Sequence, residues 1–301
     1  MFTALIDTIL RNLRRSVAIA IVLLVVVIGL IWRVIVWQSP QSVFSDMLAN
    51  NLNTTSVTKH ILASSSSQSI DQYVRLEMGS TNAAEWLVTA TQSNTVVTSD
   101  SIGTSTTGYI RYTQIKTQPG APKLITNFSK VLNVWGRADG KTDPALSQMF
   151  SQTLLDIGSA PIPPIGNVSQ TERQVLVNYM LNQGVFSGIY SNVTSQTING
   201  HGVYAYHVQV RLGPYVRLMQ SFAHALGIAS LNNINPNQYS TVAPVTLNLA
   251  VDKMSHELVE VTYPATGFTQ SYTDWGLLTP IKLPQQTIST TALQARIKAL
   301  K

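Results

Sequence analysis

Three short stretches carry residue types at catalytic spacing, and the context of each argues against the chemistry. Gly136-x-x-x-Gly140-Lys141-Thr142 is one residue short of the loop whose backbone N–H groups cradle nucleotide phosphates, and the Asp139-Gly140 inside it reads more simply as a hairpin turn. Ser56-Val57-Thr58-Lys59 has the spacing of a Ser-x-x-Lys acyl-transfer pair. That reaction needs both side chains on one helical turn, whereas the stretch around them has the β-branched character of a strand, and the companion motifs are absent. His256-Glu257 begins like a zinc-protease helix, yet position 260, where the second ligand belongs, is Glu260.

The remaining inventory is equally sparse. The five histidines, at 60, 201, 207, 224 and 256, show no ligand spacing, and no Gly-x-Ser-x-Gly occurs. With 0 cysteines there is no thiolate nucleophile, no disulfide and no lipidated N-terminal Cys. These residues predict a protein that is not an enzyme and that uses neither metal nor cofactor.

The elements that position side chains alternate in period. After Pro40, Ser42 is a candidate cap for a helix running to about Asn51, with Phe44, Met47, Leu48 and Leu52 on its apolar face. Residues 56–64, 70–78, 83–91, 107–115 and 123–135 are short β-branched and aromatic runs between Ser, Asn, Gly and Pro clusters, which predicts antiparallel strands. Trp86 and Val88 share one face of their strand with Leu87 opposite, as in a sheet covered on both sides. Residues 144–157 predict a helix, 158–167 a proline-rich loop, and a second helix starts at Thr171 with Gln174 in the capping-box position.

Strands around 186–199 and 203–212 follow, then a helix from Pro214 to before Gly227. The chain ends on strands in which Val245, Leu247, Leu249 and Val251, and then Val259, Val261 and Tyr263, line one face. This succession predicts an α+β fold: a strongly curved antiparallel sheet, an unclosed β-barrel, covered by a few amphipathic helices and preceded by one transmembrane helix.

That last element is residues 17–37, in which Arg33 is the single charge. At about 1.5 Å per residue it is long enough to cross a hydrocarbon core of about 30 Å. Arg11, Arg14 and Arg15 precede it, and the next basic residue after Arg33 is Lys59, so residues 1–16 form the cytoplasmic tail and residues 41–301 an extracytoplasmic domain. Trp37-Gln38-Ser39-Pro40 lacks the small residues of a cleavage site, which favours an uncleaved single-pass anchor in the cell membrane of a bacterial envelope. The net charge of +6 divides evenly: four arginines against one aspartate in the first 40 residues, and an excess of three in the rest without any basic run. Nucleic acid is therefore not an expected partner, and the lipid bilayer is.

The C-terminal strands resemble those of the LolA/LppX-like family of extracytoplasmic lipid and lipoprotein carriers. Val251-Asp252-Lys253 matches a strand that ends in an Asp-Lys turn, Tyr272-Thr273-Asp274-Trp275-Gly276 a Tyr-x-Asp-Trp-Gly element, and Ile281-Lys282-Leu283-Pro284 an apolar-Pro ending. The resemblance implies a curved barrel whose hollow, closed by helices, holds an acyl chain, so that a lipid or lipoprotein is the ligand and no covalent chemistry is involved. On this basis Trp86, Tyr204, Tyr206, Leu247 and Leu249 from the sheet, with Leu218, Met219 and Phe222 from the covering helix, are the candidate ligand-binding residues. The alternative is an extracytoplasmic structural or protein-interaction module in which the same side chains fill a core.

Overall fold

The computed structural model describes residues 21–29, 32, 38–64, 68–79, 82–122, 126–139, 143–154, 161–228, 231, 233–277 and 279–300. Thirteen strands among them form one sheet: β1 (Ser56–Ser64), β2 (Gln68–Met78), β3 (Asn82–Gln92), β4 (Thr95–Thr104), β5 (Thr107–Thr117), β6 (Gly136–Asp139), β7 (Phe186–Ser187), β8 (Thr194–Ile198), β9 (His201–Val210), β10 (Val245–Asp252), β11 (Leu258–Tyr263), β12 (Phe268–Thr273) and β13 (Ile288–Ser289). Their order is β13-β6-β5-β4-β3-β2-β1-β12-β11-β10-β9-β7, with β8 also on β9. Pairing of β1 with β12 joins the two ends of the chain into one surface, and apart from the parallel β13–β6 pair the neighbours are antiparallel. The terminal strands β13 and β7 do not pair with each other, so the curved sheet stays unclosed.

Period-two alternation decides what each face carries. On the concave face Trp86 of β3 stands opposite Val74 of β2 and Ser101 of β4, and Leu249 of β10 opposite Tyr206 of β9 and Val261 of β11. These residues, Ser101 apart, belong to one continuous core. The helices that cover it are α1 (Pro40–Asn51), α2 (Pro144–Ser147), α3 (Met149–Leu154), α4 (Gln170–Asn182) and α5 (Leu212–Ala225), while α6 (Thr290–Lys298) follows β13. Helix α5 buries Leu218, Met219 and Phe222, as helical spacing predicts, together with Tyr215, Val216 and Ala223, while Leu226 is its half-buried C-cap.

Glycines set how closely the short helices approach. Gly103 of β4 and Gly108 of β5 are direct cross-strand partners. A Cβ at Gly108 would collide with the Leu146 carbonyl of α2, and one at Gly103 would crowd the Trp86 ring and the Phe150 backbone. The pair forms a bare strip on which α2 and α3 settle.

The structure corrects several expectations. Ser39, not Ser42, caps α1, accepting a 3.2 Å bond from the Ser42 N–H, because Pro40 already occupies the first helical turn. Ser169 and Glu172 form the capping box of α4 in place of Thr171 and Gln174. Residues 126–135 are turns rather than strand, while β4, rich in Thr and Ser and weakly apolar, is a full strand. The single helix over 144–157 is two short helices broken at Gln148, and residues 155–160 lie outside the described part. A bulge between Ala250 and Val251 turns Val259 to the convex side, where it packs with Val203 and Ala250 instead of following Val261 and Tyr263. Leu87 is exposed, so the convex face is open at β3. Farther along, the C-terminal segment covers it: Ile281 packs with Ala83, Ile102 and Tyr109 and donates its N–H to Glu77 at 2.7 Å.

Of the expected membrane span, residues 21–29 and Trp32 are helical and Ile21–Ile28 are exposed; the other positions lie outside the described residues. Among the described residues no helix is long and apolar enough to cross a membrane.

Candidate functional site: a cavity on the concave side

A cavity of about 720 Å³ opens between the concave face of β1, β2, β10, β11 and β12 and the covering segments α3, 162–165 and α5. That volume is within the range of about 300–1,000 Å³ usual for small-molecule sites. Leu76, Ile165 and Tyr272 are buried lining residues at its inner end, whereas Pro244, Ala265 and Thr266, from the loop before β10 and the β11–β12 turn, are exposed at its rim. Tyr215 and Met219 face it from α5, and Thr153 and Leu154 from α3. The Tyr215 hydroxyl donates to the Ile162 carbonyl at 3.0 Å, which ties the proline-rich segment to α5 as one wall.

One charged side chain, Lys59, is among the lining residues, and Thr153, Thr246, Thr266, Gln270 and the tyrosines add uncharged polar groups. Lys59 comes from the concave side of β1, opposite Tyr272 of β12, and its next concave neighbour Ile61 stands opposite Gln270. The Tyr272 hydroxyl donates to Gln270 Oε1 at 2.8 Å. Burial raises the Tyr272 phenol well above its ordinary pKa, and the neighbouring Tyr263 and Tyr215 add to that, so Tyr272 remains a neutral donor. The described lining holds no carboxylate.

The eight residues singled out from the sequence divide in position. Met219 lines the cavity. Trp86, Leu218, Phe222 and Leu247 are buried in the packed core beside it, with Phe222 under Gly166. Tyr206 and Leu249 are also fully buried, and both border a smaller recess of about 280 Å³ whose other lining residues include His207, Asn248, Glu260 and Thr262. Tyr204 and Tyr206 hold the start of α1: their hydroxyls donate to the Gln38 and Pro40 carbonyls at 3.0 and 2.7 Å. Burial, with Tyr204 and Tyr190 nearby, pushes the Tyr206 phenol far above its usual pKa, again leaving a neutral donor.

Sequence reasoning did not single out Lys59, Ile61, Tyr215, Phe268, Gln270 or Tyr272 as lining residues. A signal for five of the six was present: Phe268-x-Gln270-x-Tyr272 places three large side chains on one face of β12, and Lys59-x-Ile61 places two on one face of β1. Their alignment depends on the β1–β12 pairing of strands some 200 residues apart, which no local pattern reveals.

The catalytic look-alikes are accounted for by their surroundings. Ser56 and Lys59 sit on opposite faces of β1, and Ser56 Oγ donates to the Leu277 carbonyl at 2.9 Å. His256 pairs with Asp46, His201 with Asp252 and His60 with Asp71, each at 2.8–2.9 Å. Among the described residues no group of three or more His, Asp or Glu side chains could hold a metal ion. Gly140, Lys141 and Thr142 lie outside the described residues.

No family model matches the chain, and no curated protein matches it. Among solved structures, LprF from Mycobacterium bovis is similar at 14% identity and a TM-score of 0.36, over 81% of this chain and 96% of that one. A likeness at that level assigns neither a lineage nor a ligand.

Proposed function

We propose that the chain is a membrane-anchored extracytoplasmic domain that binds a lipid or another hydrophobic ligand non-covalently. The observation that carries this reading is the open cavity between the concave sheet and helices α3 and α5, lined mainly by Ile, Leu, Pro, Met and aromatic side chains in a fold that otherwise packs its core. Apolar burial supplies the affinity, roughly 25 cal/mol for each Å² removed from water. The LolA/LppX-like C-terminal stretch supports the reading through Tyr272, the first residue of its Tyr-x-Asp-Trp-Gly element, which lines the cavity. The exposed apolar side chains of Ile21–Ile28 support the anchor, and the arginine asymmetry around them supports an exterior domain.

The test is mass spectrometry of organic extracts from the full-length protein purified from membranes, against a mock purification, together with titration by a fluorescent long-chain probe. A stoichiometric amphiphile or saturable probe uptake is the expected result. A folded protein that yields no ligand and takes up no probe would overturn the reading. The second reading, a protein-interaction module, is favoured by Leu62, Tyr73 and Leu87, apolar or aromatic residues exposed on the convex face of β1–β3. It predicts crosslinks from that face to a specific envelope protein.

A further inference from the structure

The two ends of the curved sheet are built differently. At the end that carries the β10–β11 turn, α1 lies across the hollow as a plug: Val43, Phe44, Met47 and Leu48 are fully buried, and Asp46 and Asn50 bond the turn at His256. Gln38, the residue that follows the expected span, is held at the same end. Its carbonyl accepts the Tyr204 hydroxyl at 3.0 Å, and its Nε2 donates to Met254 Sδ at 2.8 Å. No residue separates the end of that span at Trp37 from the first contact with the domain, so no flexible linker is left to turn the domain round.

The cavity opens at the other end. Its exposed rim residues Pro244, Ala265 and Thr266 stand before β10 and in the β11–β12 turn, one strand length, about 25 Å, from Asp252 and Met254. Beyond the lining residue Ile61 the concave face continues outward as an aliphatic row, Ala63, Ile70, Ala90, Val97 and Ile115, cross-strand partners on β1–β5 of which none is buried. Ile70 is 40% exposed. A hydrophobic ligand that leaves the cavity along this row stays out of water where a second apolar phase meets the row.

We propose that the cavity is loaded and emptied at the end turned away from the anchoring bilayer, through contact of the aliphatic row with a second lipid surface, and does not draw its ligand from the bilayer that holds the chain. The proposal rests on the anchored, ligand-binding reading above and adds a direction of exchange to it. The plug of α1 closes the route on the anchored side, and the row from Ala63 to Ile115 supplies the landing on the other.

The test uses the full-length chain in phosphatidylcholine nanodiscs. Because the sequence has 0 cysteines, Met254→Cys and Ala265→Cys each accept a single fluorophore. Nitroxide-labelled head groups in the nanodisc should quench the label at position 254 and spare the one at 265, and the same head groups in separate phosphatidylcholine vesicles should quench the label at 265 alone. Wild type loaded with a fluorescent hexadecanoic acid should release it at a rate that rises in proportion to the concentration of acceptor vesicles. Ile70→Asp should lower that slope about tenfold, as loss of one aliphatic contact with lipid allows, and Ile70→Leu should keep it. Quenching at 265 by the nanodisc's own lipids, or release independent of vesicle concentration, would overturn the direction of exchange while leaving a ligand cavity. No uptake of the fluorescent acid by the wild type would overturn the hydrophobic-ligand reading and this proposal with it, and failure of the chain to enter nanodiscs would do the same through the anchor.

Discussion

Asp46 on α1 and His256 in the β10–β11 turn face each other, Oδ2 to Nδ1, at 2.9 Å across a sequence separation of 210 residues. The His256 side chain is 3% exposed, and its backbone sits at a φ of 56°, a left-handed conformation that a non-glycine residue adopts only when its surroundings hold it. Asn50, one turn farther along α1, donates from Nδ2 to the His256 and Ser255 carbonyls at 3.1 and 3.3 Å. The turn therefore grips the first helix of the domain, next to the point where Tyr204 and Tyr206 hold its start.

Removing the carboxylate should loosen that grip. Asp46→Ala takes a charged hydrogen-bond partner from a buried imidazole, a loss of about 1–3 kcal/mol. For a domain of this size each kcal/mol shifts the melting midpoint by roughly 2–4 °C. Thermal denaturation followed by circular dichroism measures it, and an unchanged midpoint would show that the Asp46–His256 pair adds no stability.

The same turn should confer acid sensitivity through Asp252. Burial works to raise the Asp252 pKa, but the N–H groups of Ser255 and Met254 and the side chain of His201 more than offset it, and the net shift is downward. The two backbone bonds are 2.8 and 2.6 Å long. A carboxylate with a depressed pKa contributes stability that is present above its unfolded pKa of about 3.9 and is lost as pH falls through the folded value. Wild type should therefore exceed Asp252→Asn in urea midpoint at neutral pH, with the gap closing below about pH 4. A constant gap across that window would mean that the charge of Asp252 plays no part.

How much of this was legible can be traced residue by residue. The strands β1, β2, β3, β5, β9, β10, β11 and the stripe of α5 follow from alternation and helical spacing, because each buries one face and local pattern reports that directly. Strand β4 was not legible, since Thr and Ser on both faces give no contrast, and the Gly103–Gly108 strip acquires meaning only from the helices lying on it. At the cavity, sequence reasoning found α5 as a covering helix but singled out Phe222 and Leu218 along with Met219. The three lie within about one turn, and which of them faces empty space depends on the tilt of α5 against β12 and residues 162–165, a tertiary relation that spacing alone does not carry.

The glycine strip offers a direct check on that tertiary relation. Gly108→Ala would drive a methyl group into the Leu146 carbonyl, a backbone atom that cannot rotate away. The outcome should be a destabilisation of about 1–3 kcal/mol, typical of overpacking, with faster hydrogen exchange in α2 and α3. Ala at Gly120, where nothing lies within 4 Å but φ is +86°, tests backbone strain alone. If Gly108→Ala leaves exchange in α2 and α3 at wild-type rates, the close approach of helix to sheet is wrong.

Blocking the cavity should separate binding from folding. Phe222→Asp is a poor test, because Phe222 is fully buried and an unpaired carboxylate there would unfold the domain. Ala265 is exposed on the rim, so Ala265→Trp can narrow the entrance with a stability change within about 0.5 kcal/mol. Met219 is a flexible side chain facing the empty space, and Met219→Trp can grow into that space instead of into packed neighbours. Stopped-flow uptake of a fluorescent fatty acid should slow in Ala265→Trp with the final amplitude preserved, since the interior is unaltered. In Met219→Trp the amplitude itself should fall, because the volume available to the chain is reduced. Wild-type rate and amplitude in both variants, at unchanged melting midpoints, would mean that the probe binds elsewhere on the molecule.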